Sequence, residues 1–406
     1  MDGKGLRTVE PKSFCEFFAG IGLVREGLKH SGWKCVYAND NDPKKKQMYE
    51  GRFGPTSHFH LEDVCRTTEV KTRIQGAPFL ATASFPCIDL SLAGHWKGFE
   101  GKHSSTFFGF AEVLSALGDQ QPRLVLLENV TGFITSNDGK DFAAAANVLS
   151  ELGYWLDAFV VDAKFFVPQS RPRIFVVGVH ESVNPPFAVR KSSVDWIVDH
   201  WSQVVESRPA SMRPRKLVEL MRDVKLKTGW NAFDWRPPAI QRRSLAEVVD
   251  LDDGQGWWDR AAVQKHYEMM SDKHRISVDE MLRSAATRVG TIFRRKRREK
   301  TRAEVRFDDV AGCLRTPRGG SGRQIVIVIA DRALKMRWMS AREYARLQGA
   351  DDFPLVANTI QNLFGFGDAV CVPVVRWVDE NVLTPVFHYV TRQGIESGRQ
   401  PIPRAS

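Results

Sequence analysis

Short apolar runs alternate with amphipathic stretches from residue 13 to about residue 180. The apolar runs read SFCEFF, KCVYAN, PFLATAS, RLVLLE, AFVVD and RIFVVGV, and stretches with helical periodicity such as VREGLKH, FGFAEVLSAL and AANVLSELG stand between them. Strands that alternate with helices in this way are typical of βα units. The pattern therefore predicts an α/β fold with a doubly wound, Rossmann-like and largely parallel sheet.

A second region begins near residue 181, where the alternation gives way to sequence rich in Pro, Trp and Arg. Apolar alternation returns in QIVIVIA, a helical stretch follows in SAREYARLQG, and AVCVPVVRWVDENVL is the last apolar segment. We expect a first domain over residues 1–180, a second, smaller domain over 181–330, and a C-terminal segment over 331–406 that packs back onto the first domain.

Composition and charge narrow the class of protein. The chain has 406 residues, 43% of them hydrophobic, which is enough for two packed domains, and its formal charge of +10 favours a polyanionic partner, either nucleic acid or an acidic membrane surface. The six cysteines form no CxxC pair, so neither a zinc cluster nor a disulfide framework is indicated. Because the sequence has neither an apolar leader nor an apolar run of membrane length, we expect a cytoplasmic protein.

The first predicted strand ends in a glycine turn, FFAGIG. Gly20 and Gly22 allow the backbone to turn tightly and approach a ligand, and Asp40 ends the second strand, where an acidic side chain meets ribose hydroxyls in nucleoside-binding sheets. Arg25 replaces the third glycine of dinucleotide-binding turns, and Glu16 adds a negative charge beside the turn. These features favour a cationic cofactor, S-adenosylmethionine, over a nicotinamide dinucleotide.

Reactive side chains follow three further predicted strand ends. Pro86 cannot donate a ladder hydrogen bond, so we expect the chain to leave the sheet there and to present Cys87 on a loop, although most free cysteines are simply buried. The segments LLENV and QSRPR supply polar groups at two other strand ends: Glu128, Asn129, Arg171 and Arg173. Ordinary loop residues and a solvated basic strand end are the alternatives for these two segments.

The order of these motifs resembles that of the DNA (cytosine-5)-methyltransferases. The resemblance rests on FFAGIG, CVYAND, SFPCIDLS, LLENVTGF, VPQSRPRIFVVG, CLRTPRGGSGRQ and FGFGDAVCVPVV, over residues 13–180 and 307–385. It implies an S-adenosylmethionine-dependent methyltransferase sheet over 1–180 and a DNA target-recognition domain over 181–330. The implied activity is methylation of C5 of a flipped cytosine in a specific double-stranded DNA sequence, which protects that DNA from a cognate restriction endonuclease.

The resemblance also implies roles for single residues. The Cys87 thiolate would add to C6 of cytosine, Glu128 would protonate or hydrogen-bond N3, and Asn129 would brace the loop that carries Cys87. Arg171 and Arg173 would hold the base and the loop. The cofactor would lie against Phe18, Gly20, Gly22, Asp40, Asp63 and Pro86. DNA contacts would come from Ser91, Arg315 and Arg318. We further expect a monomer associated with the nucleoid, no metal ion and no membrane partner.

Two positions depart from the pattern of the family. Ile88 stands where the family often has Gln, which puts a DNA contact in doubt. GDAV, with Asp368 and Ala369, replaces GNSV, which puts cofactor contacts in doubt.

Two rival functions share the fold, an RNA cytosine-5 methyltransferase and a catalytically silent DNA-binding protein. The long basic insert favours DNA over RNA, and the intact motif residues favour an enzyme. The charge run FRRKRREKTR is expected either to contact phosphates or to form a solvated surface.

Overall fold

A seven-stranded sheet forms the centre of the computed structural model, which describes residues 11–86, 106–191, 200–252, 256–297, 300–317 and 322–396. Its strands are β1 (Ser13–Phe17), β2 (Lys34–Asp40), β3 (Phe59–Leu61), β4 (Leu80–Ala83), β5 (Leu124–Val130), β6 (Tyr154–Asp162) and β7 (Pro172–His180). The order is β3-β2-β1-β4-β5-β7-β6, and β7 alone runs antiparallel to its neighbours among these strands. The predicted doubly wound α/β sheet is confirmed.

Apolar residues cover both faces of this sheet. Alternate residues of β1 enter different apolar clusters, Phe14 on one face and Cys15 and Phe17 on the other. This double burial explains why the strands read as continuous apolar runs. The helices of this part are α1 (Leu23–Leu28), α2 (Pro43–Phe53), α3 (Thr67–Arg73), α4 (Thr106–Leu117) and α5 (Lys140–Glu151).

Residues 188–191 and 200–249 pack against the β6 side of the large sheet. They contain β8 (Ala188–Arg190), α6 (His200–Glu206), α7 (Arg215–Asp223), β9 (Asn231–Phe233) and α8 (Leu245–Val248). The buried Asp157 of β6 accepts hydrogen bonds from Arg213 Nη2 at 2.7 Å and from the Phe233 amide at 3.0 Å. Trp201, Trp230 and Trp235 are buried here, so their rings stabilise this packing and are not presented to a partner.

A second sheet follows in the chain. Its strands are β10 (Arg288–Arg297), β11 (Lys300–Arg306), β12 (Ile325–Ala330) and β13 (Ala333–Trp338), all antiparallel in the order β11-β10-β12-β13. Two helices, α9 (Arg260–Glu268) and α10 (Asp272–Leu282), precede it. Ile325, Ile327 and Ile329 of β12 share an apolar cluster with Val278 of α10, whereas Val326 and Val328 join a cluster of the large sheet. The central strand β12 is therefore buried on both faces.

The C-terminal segment is helical and packs onto the large sheet. It contains α11 (Ala341–Leu347), α12 (Thr359–Asp368), α13 (Val372–Val378) and α14 (Thr384–Glu396). Gly27 of α1 allows the close approach of α13, because a Cβ atom at Gly27 would lie 2.6 Å from Val375 Cβ. The boundary expected at residue 331 falls in the tight turn between β12 and β13.

In the described ranges, no helix is long and apolar enough to cross a membrane. The same ranges contain no group of three or more His, Cys, Asp or Glu side chains arranged to hold a metal ion.

Candidate active site

The register of the large sheet brings several predicted residues to one edge. Ala83 of β4 lies beside Phe17 of β1 on one side and Leu127 of β5 on the other. The turn after β1, the segment after β4 and the end of β5 therefore lie side by side. Because β7 is antiparallel, its beginning reaches the same edge, where Arg173 lies opposite Val130.

Asn129 fastens the chain that leads towards Cys87. Its Nδ2 donates a hydrogen bond to the carbonyl oxygen of Phe85 at 3.0 Å, and its Oδ1 accepts one from the Val130 amide at 2.8 Å. Pro86 is exposed at the end of this described segment. Cys87 itself lies outside the described residues, as do Ile88, Ser91 and Arg318.

Glu128 forms an ion pair at this edge. Its Oε1 lies 3.2 Å from Nε of Arg173, and both side chains are largely buried. Arg173 also directs Nη2 towards Cys313 Sγ at 3.8 Å, and Arg171 directs Nη1 towards the same sulfur at 3.5 Å. The two arginines thus point the same way, as their spacing predicts, and the pair with Arg173 orients the Glu128 carboxyl.

Arg171 is almost completely buried and bonds to backbone carbonyl groups. Its Nη1 donates to Leu314 O at 2.9 Å, and its Nη2 donates to Gly367 O at 3.1 Å and to Ala369 O at 2.6 Å. Burial, with the neighbouring charge of Arg173, lowers the pKa of Arg171 to about 10. In this structure Arg171 therefore ties the C-terminal segment to β7, and a contact of Arg171 with the base stays a prediction.

Three residues to which sequence reasoning gave no role complete this contact network. Gln169 donates Nε2 to Leu347 O at 2.7 Å and accepts the Leu314 amide at 3.0 Å, while Gln348 donates Nε2 to Phe366 O at 2.6 Å. Burial would raise the pKa of the Cys313 thiol, but the charges of Arg171, Arg173 and Arg315 outweigh it and lower that pKa. The only sequence signal was the position of Cys313 at the start of CLRTPRGG.

The glycine turn after β1 has an unusual backbone. Phe18, Gly20 and Gly22 all have positive φ angles, of 56°, 57° and 83°. A Cβ atom at Gly20 would meet only Phe18 O, at 4.0 Å, so this face of the turn is open to a ligand. At Gly22 a Cβ atom would lie 2.5 Å from Phe53, so this glycine is needed for packing against α2, and a contact of Gly22 with the cofactor stays a prediction.

Acidic side chains hold the turn. Asp40 Oδ2 accepts the Gly20 amide at 3.0 Å, which leaves further lone pairs on this carboxylate for ribose hydroxyls. Glu16 is 1% exposed; its Oε1 accepts the Arg25 amide at 3.1 Å, and its Oε2 has no hydrogen-bond partner. Burial raises the pKa of Glu16 to about 8. An open backbone cradle above a buried, incompletely bonded carboxyl group fits a nucleoside ligand that carries a positive charge.

The remaining predicted residues lie further from Glu128 along the edge or on the surface. Asp63 is exposed after β3 and its Oδ1 accepts the Cys65 amide at 3.0 Å. Asp368, in the departing GDAV motif, forms an ion pair with Lys45 of α2 at 3.3 Å. Arg315 is exposed. Its backbone passes close to Gly367, where a Cβ atom would lie 2.7 Å from Arg315 C.

Comparisons with known proteins agree with one another. The family model described as C-5 cytosine-specific DNA methylase matches residues 12–384. Type II methyltransferase M.HpaII of Haemophilus parainfluenzae is 25% identical over 401 residues, which cover 92% of this chain and 90% of that protein. Type II methyltransferase M.HhaI of Haemophilus parahaemolyticus is 30% identical over 172 residues, or 42% of this chain and 50% of that protein. The Dnmt2 methyltransferase of S. pombe has a TM-score of 0.55 at 15% identity, with 92% and 99% of the two chains covered, and shares the fold.

Proposed function

Because the chain belongs to the C-5 cytosine-specific DNA methylase family, we propose that it methylates C5 of one cytosine within a specific duplex DNA sequence, with S-adenosylmethionine as methyl donor. The observation that carries the proposal is the meeting, at one edge of the sheet, of the Glu128–Arg173 ion pair and the segment that Asn129 fastens just before Cys87. The type II methyltransferases among the relatives support a protective role against a cognate restriction endonuclease.

In the proposed reaction Cys87 is the nucleophile. Its thiolate adds to C6 of the cytosine ring, which makes C5 nucleophilic enough to accept a methyl group. Glu128, oriented by Arg173, protonates or hydrogen-bonds N3, so that negative charge does not accumulate on the ring. The methyl transfer leaves S-adenosylhomocysteine behind. Water then takes up the C5 proton, the C5=C6 double bond re-forms, and the Cys87 thiolate is expelled, which releases 5-methylcytosine. Arg171 is a positioning residue in this scheme, since its Nη1 and Nη2 groups donate to backbone carbonyl groups of the protein.

The cofactor would be held at the turn after β1. Phe18 and Gly20 would contact it, Asp40 would bind its ribose hydroxyls, and Asp63 would lie near its adenine amine. When bound, S-adenosylmethionine supplies an activated methyl group. The buried Glu16 carboxyl, when ionised, would balance the positive charge of the ligand beneath the turn.

The target base would leave the duplex before reaction. A C6 atom inside stacked base pairs is out of reach of a protein nucleophile, so the cytosine must be flipped out of the duplex before Cys87 can react with it. We propose that the protein acts as a monomer on double-stranded DNA in the cytoplasm.

The decisive experiment maps the methylated base. Purified protein is incubated with labelled S-adenosylmethionine and either duplex DNA or structured RNA, and DNA from cells that express the protein is mapped by bisulfite sequencing. We expect methylation at C5 of cytosine in one duplex sequence. Transfer to RNA alone would support the rival RNA enzyme, and transfer to neither substrate would support a silent DNA-binding protein.

Two cysteine variants test the nucleophile. Cys87→Ser should abolish methyl transfer and leave cofactor binding near the parent value, because the thiolate acts only on the base. Cys65→Ser, at an exposed cysteine remote from Glu128 in the chain, is the matched control and should keep full activity. Methylation by Cys87→Ser near the parent rate would overturn the assignment of Cys87.

A further inference from the structure

The hairpin of β10 and β11 extends beyond the second sheet. β10 pairs with β12 only as far as Ile292, which lies opposite Ile325, whereas its pairing with β11 continues to Arg297 opposite Lys300. Residues 293–297 and 300–304 therefore form a two-stranded projection, which we call the basic arm. Five residues of a strand at about 3.4 Å each give a projection of about 17 Å.

The basic arm has an unfavourable arrangement of charges. Its two strands carry six Lys or Arg residues and one Glu residue. The register places Arg295 directly opposite Arg302, and both side chains are exposed. Like charges directly opposite each other on neighbouring strands destabilise the pairing. A polyanion bound along this face would neutralise the two charges and remove the repulsion. A surface that only faces solvent would gain no stability from such a pair.

The base of the arm is anchored on the other face of the hairpin. Arg294 alternates with Arg295 along β10, and its guanidinium lies over the Trp338 ring, 4.8 Å from the centroid. Ala303, opposite Arg294, is buried in the apolar cluster beneath α9 and α10. One face of the arm is thus fixed to the protein, and the face with Arg295 and Arg302 points away from that core.

The arm leaves the sheet at the end nearest the candidate active site. Ile325, where the pairing with β10 ends, directly follows Gln324 in the chain, and Gln324 Nε2 donates to Cys313 O at 3.5 Å. Cys313 in turn contacts Arg171 and Arg173. The basic arm and the Glu128–Arg173 pair therefore lie towards the same end of the second sheet.

We propose that the basic arm binds the sugar–phosphate backbone of duplex DNA beside the methylated base. Arg295 and Arg302 each contact a phosphate, and they contribute affinity without reading the sequence, because phosphates carry no base information. This inference rests on the proposed function for the identity of the polyanion. Of the two alternatives for the run FRRKRREKTR, a phosphate contact or a solvated surface, the proposal takes the phosphate contact.

The test is a salt titration of DNA binding by the full-length protein. The double variant Arg295→Gln/Arg302→Gln is compared with Arg260→Gln/Lys273→Gln, which removes two exposed charges from α9 and α10. Binding to the methylated sequence and to an unrelated duplex is measured over a range of salt concentrations. For the arm variant we expect the plot of log affinity against log salt to become shallower by about two units, equally for both duplexes. The control should keep the parent slope.

Two further measurements separate a loss of phosphate contacts from a loss of folding. The arm variant should unfold at the same temperature as the parent or above it, since the Arg295–Arg302 repulsion is removed, and Arg295→Lys/Arg302→Lys should keep the parent salt slope. An unchanged slope for the neutral variant, or a loss of affinity for one sequence only, would overturn the inference. A parent protein that binds duplexes but methylates none would instead contradict the proposed function, and the salt slopes would still test the arm.

Discussion

At the scale of single residues, Glu16 is a buried acid whose pKa differs between the folded and the unfolded chain. Its pKa is about 8 in the folded chain against an ordinary value of 4.5, chiefly because of burial. Folding therefore takes up a proton between these two pH values. The stabilisation linked to this proton is fully present below about pH 4.5 and is lost as the pH rises through about 8.

Glu16→Gln should remove this part of the pH dependence. Gln keeps the shape of the neutral acid but cannot ionise, so the free energy of unfolding of the variant should fall less than that of the parent between about pH 5 and pH 8. Urea denaturation across this range measures the difference. Glu151→Gln, at an exposed residue of α5, is the control and should follow the parent. A variant curve parallel to the parent curve would show that Glu16 is ionised throughout.

Glu128→Gln tests the proposed role at N3 of the base. The amide cannot deliver a proton, and loss of one general acid typically slows a reaction by about 10² to 10⁴. We expect a loss of this size in the single-turnover rate, with cofactor affinity near the parent value. A rate within a few-fold of the parent would leave Glu128 only a binding role.

Sequence reasoning selected Glu128 and Asn129 because they directly follow an apolar run, which is a local signal. It gave no role to Cys313, Gln169 or Gln348, whose partners lie far away in the chain; the Arg171 and Cys313 side chains, for example, are separated by 142 positions. Hydrophobic periodicity describes only neighbours within one element, so contacts of this kind could not be predicted from it.

At the scale of elements, the direction of β7 determines where its arginines lie. The apolar run RIFVVGV predicts a buried strand but carries no information about its direction. In a parallel strand the residues at its beginning would lie at the edge opposite Glu128. Because β7 is antiparallel to β5, Arg173 instead lies opposite Val130, and the ion pair with Glu128 becomes possible.

Arg171→Ala should loosen the connection between β7 and α12. The change removes the guanidinium donor from the carbonyl groups of Leu314, Gly367 and Ala369, of which Ala369 keeps a hydrogen bond from Gln348 Nε2. We expect a loss of about 2 to 5 kcal/mol in the free energy of unfolding. Arg376→Ala removes an exposed ion pair with Glu380 and should cost less than about 1 kcal/mol. Denaturant unfolding compares the two variants, and equal losses would mean that Arg171 is not an important tie.

At the scale of the whole molecule, the middle of the chain divides differently from the sequence-based expectation. Residues 188–191 and 200–249 share a core with β6 through the Asp157–Arg213 pair, whereas α9, α10 and the second sheet have an apolar cluster of their own. The expected boundary between residues 330 and 331 separates β12 from β13, although both belong to this second sheet. Residue composition reflects the surroundings of single side chains and not the pairing of strands. It therefore could not predict where the chain divides between the two cores.

A graft of residues 256–338 into a related methyltransferase should therefore move the methylated sequence to that of this protein. The graft carries the complete second sheet with the basic arm, and it leaves Gly20, Asp40 and Cys87 behind. Bisulfite sequencing of cellular DNA identifies the site. A graft of 181–306 would divide the second sheet and should yield a poorly folded chimera. Methylation at the original site by the 256–338 chimera would show that recognition lies elsewhere.

The hydrogen bonds from Arg171 to Gly367 and Ala369 also determine how late in translation the candidate active site can be completed. These residues are 196 and 198 positions apart from Arg171. At translation rates of about 5 to 20 residues per second, the carbonyl groups emerge about 10 to 40 seconds after the arginine. During that interval all seven strands of the large sheet already exist, but the buried guanidinium has no acceptors from α12. A ribosome-bound chain would thus carry an unfinished site, and DNA near the ribosome would be exposed to a methyltransferase only after its last helices have been made.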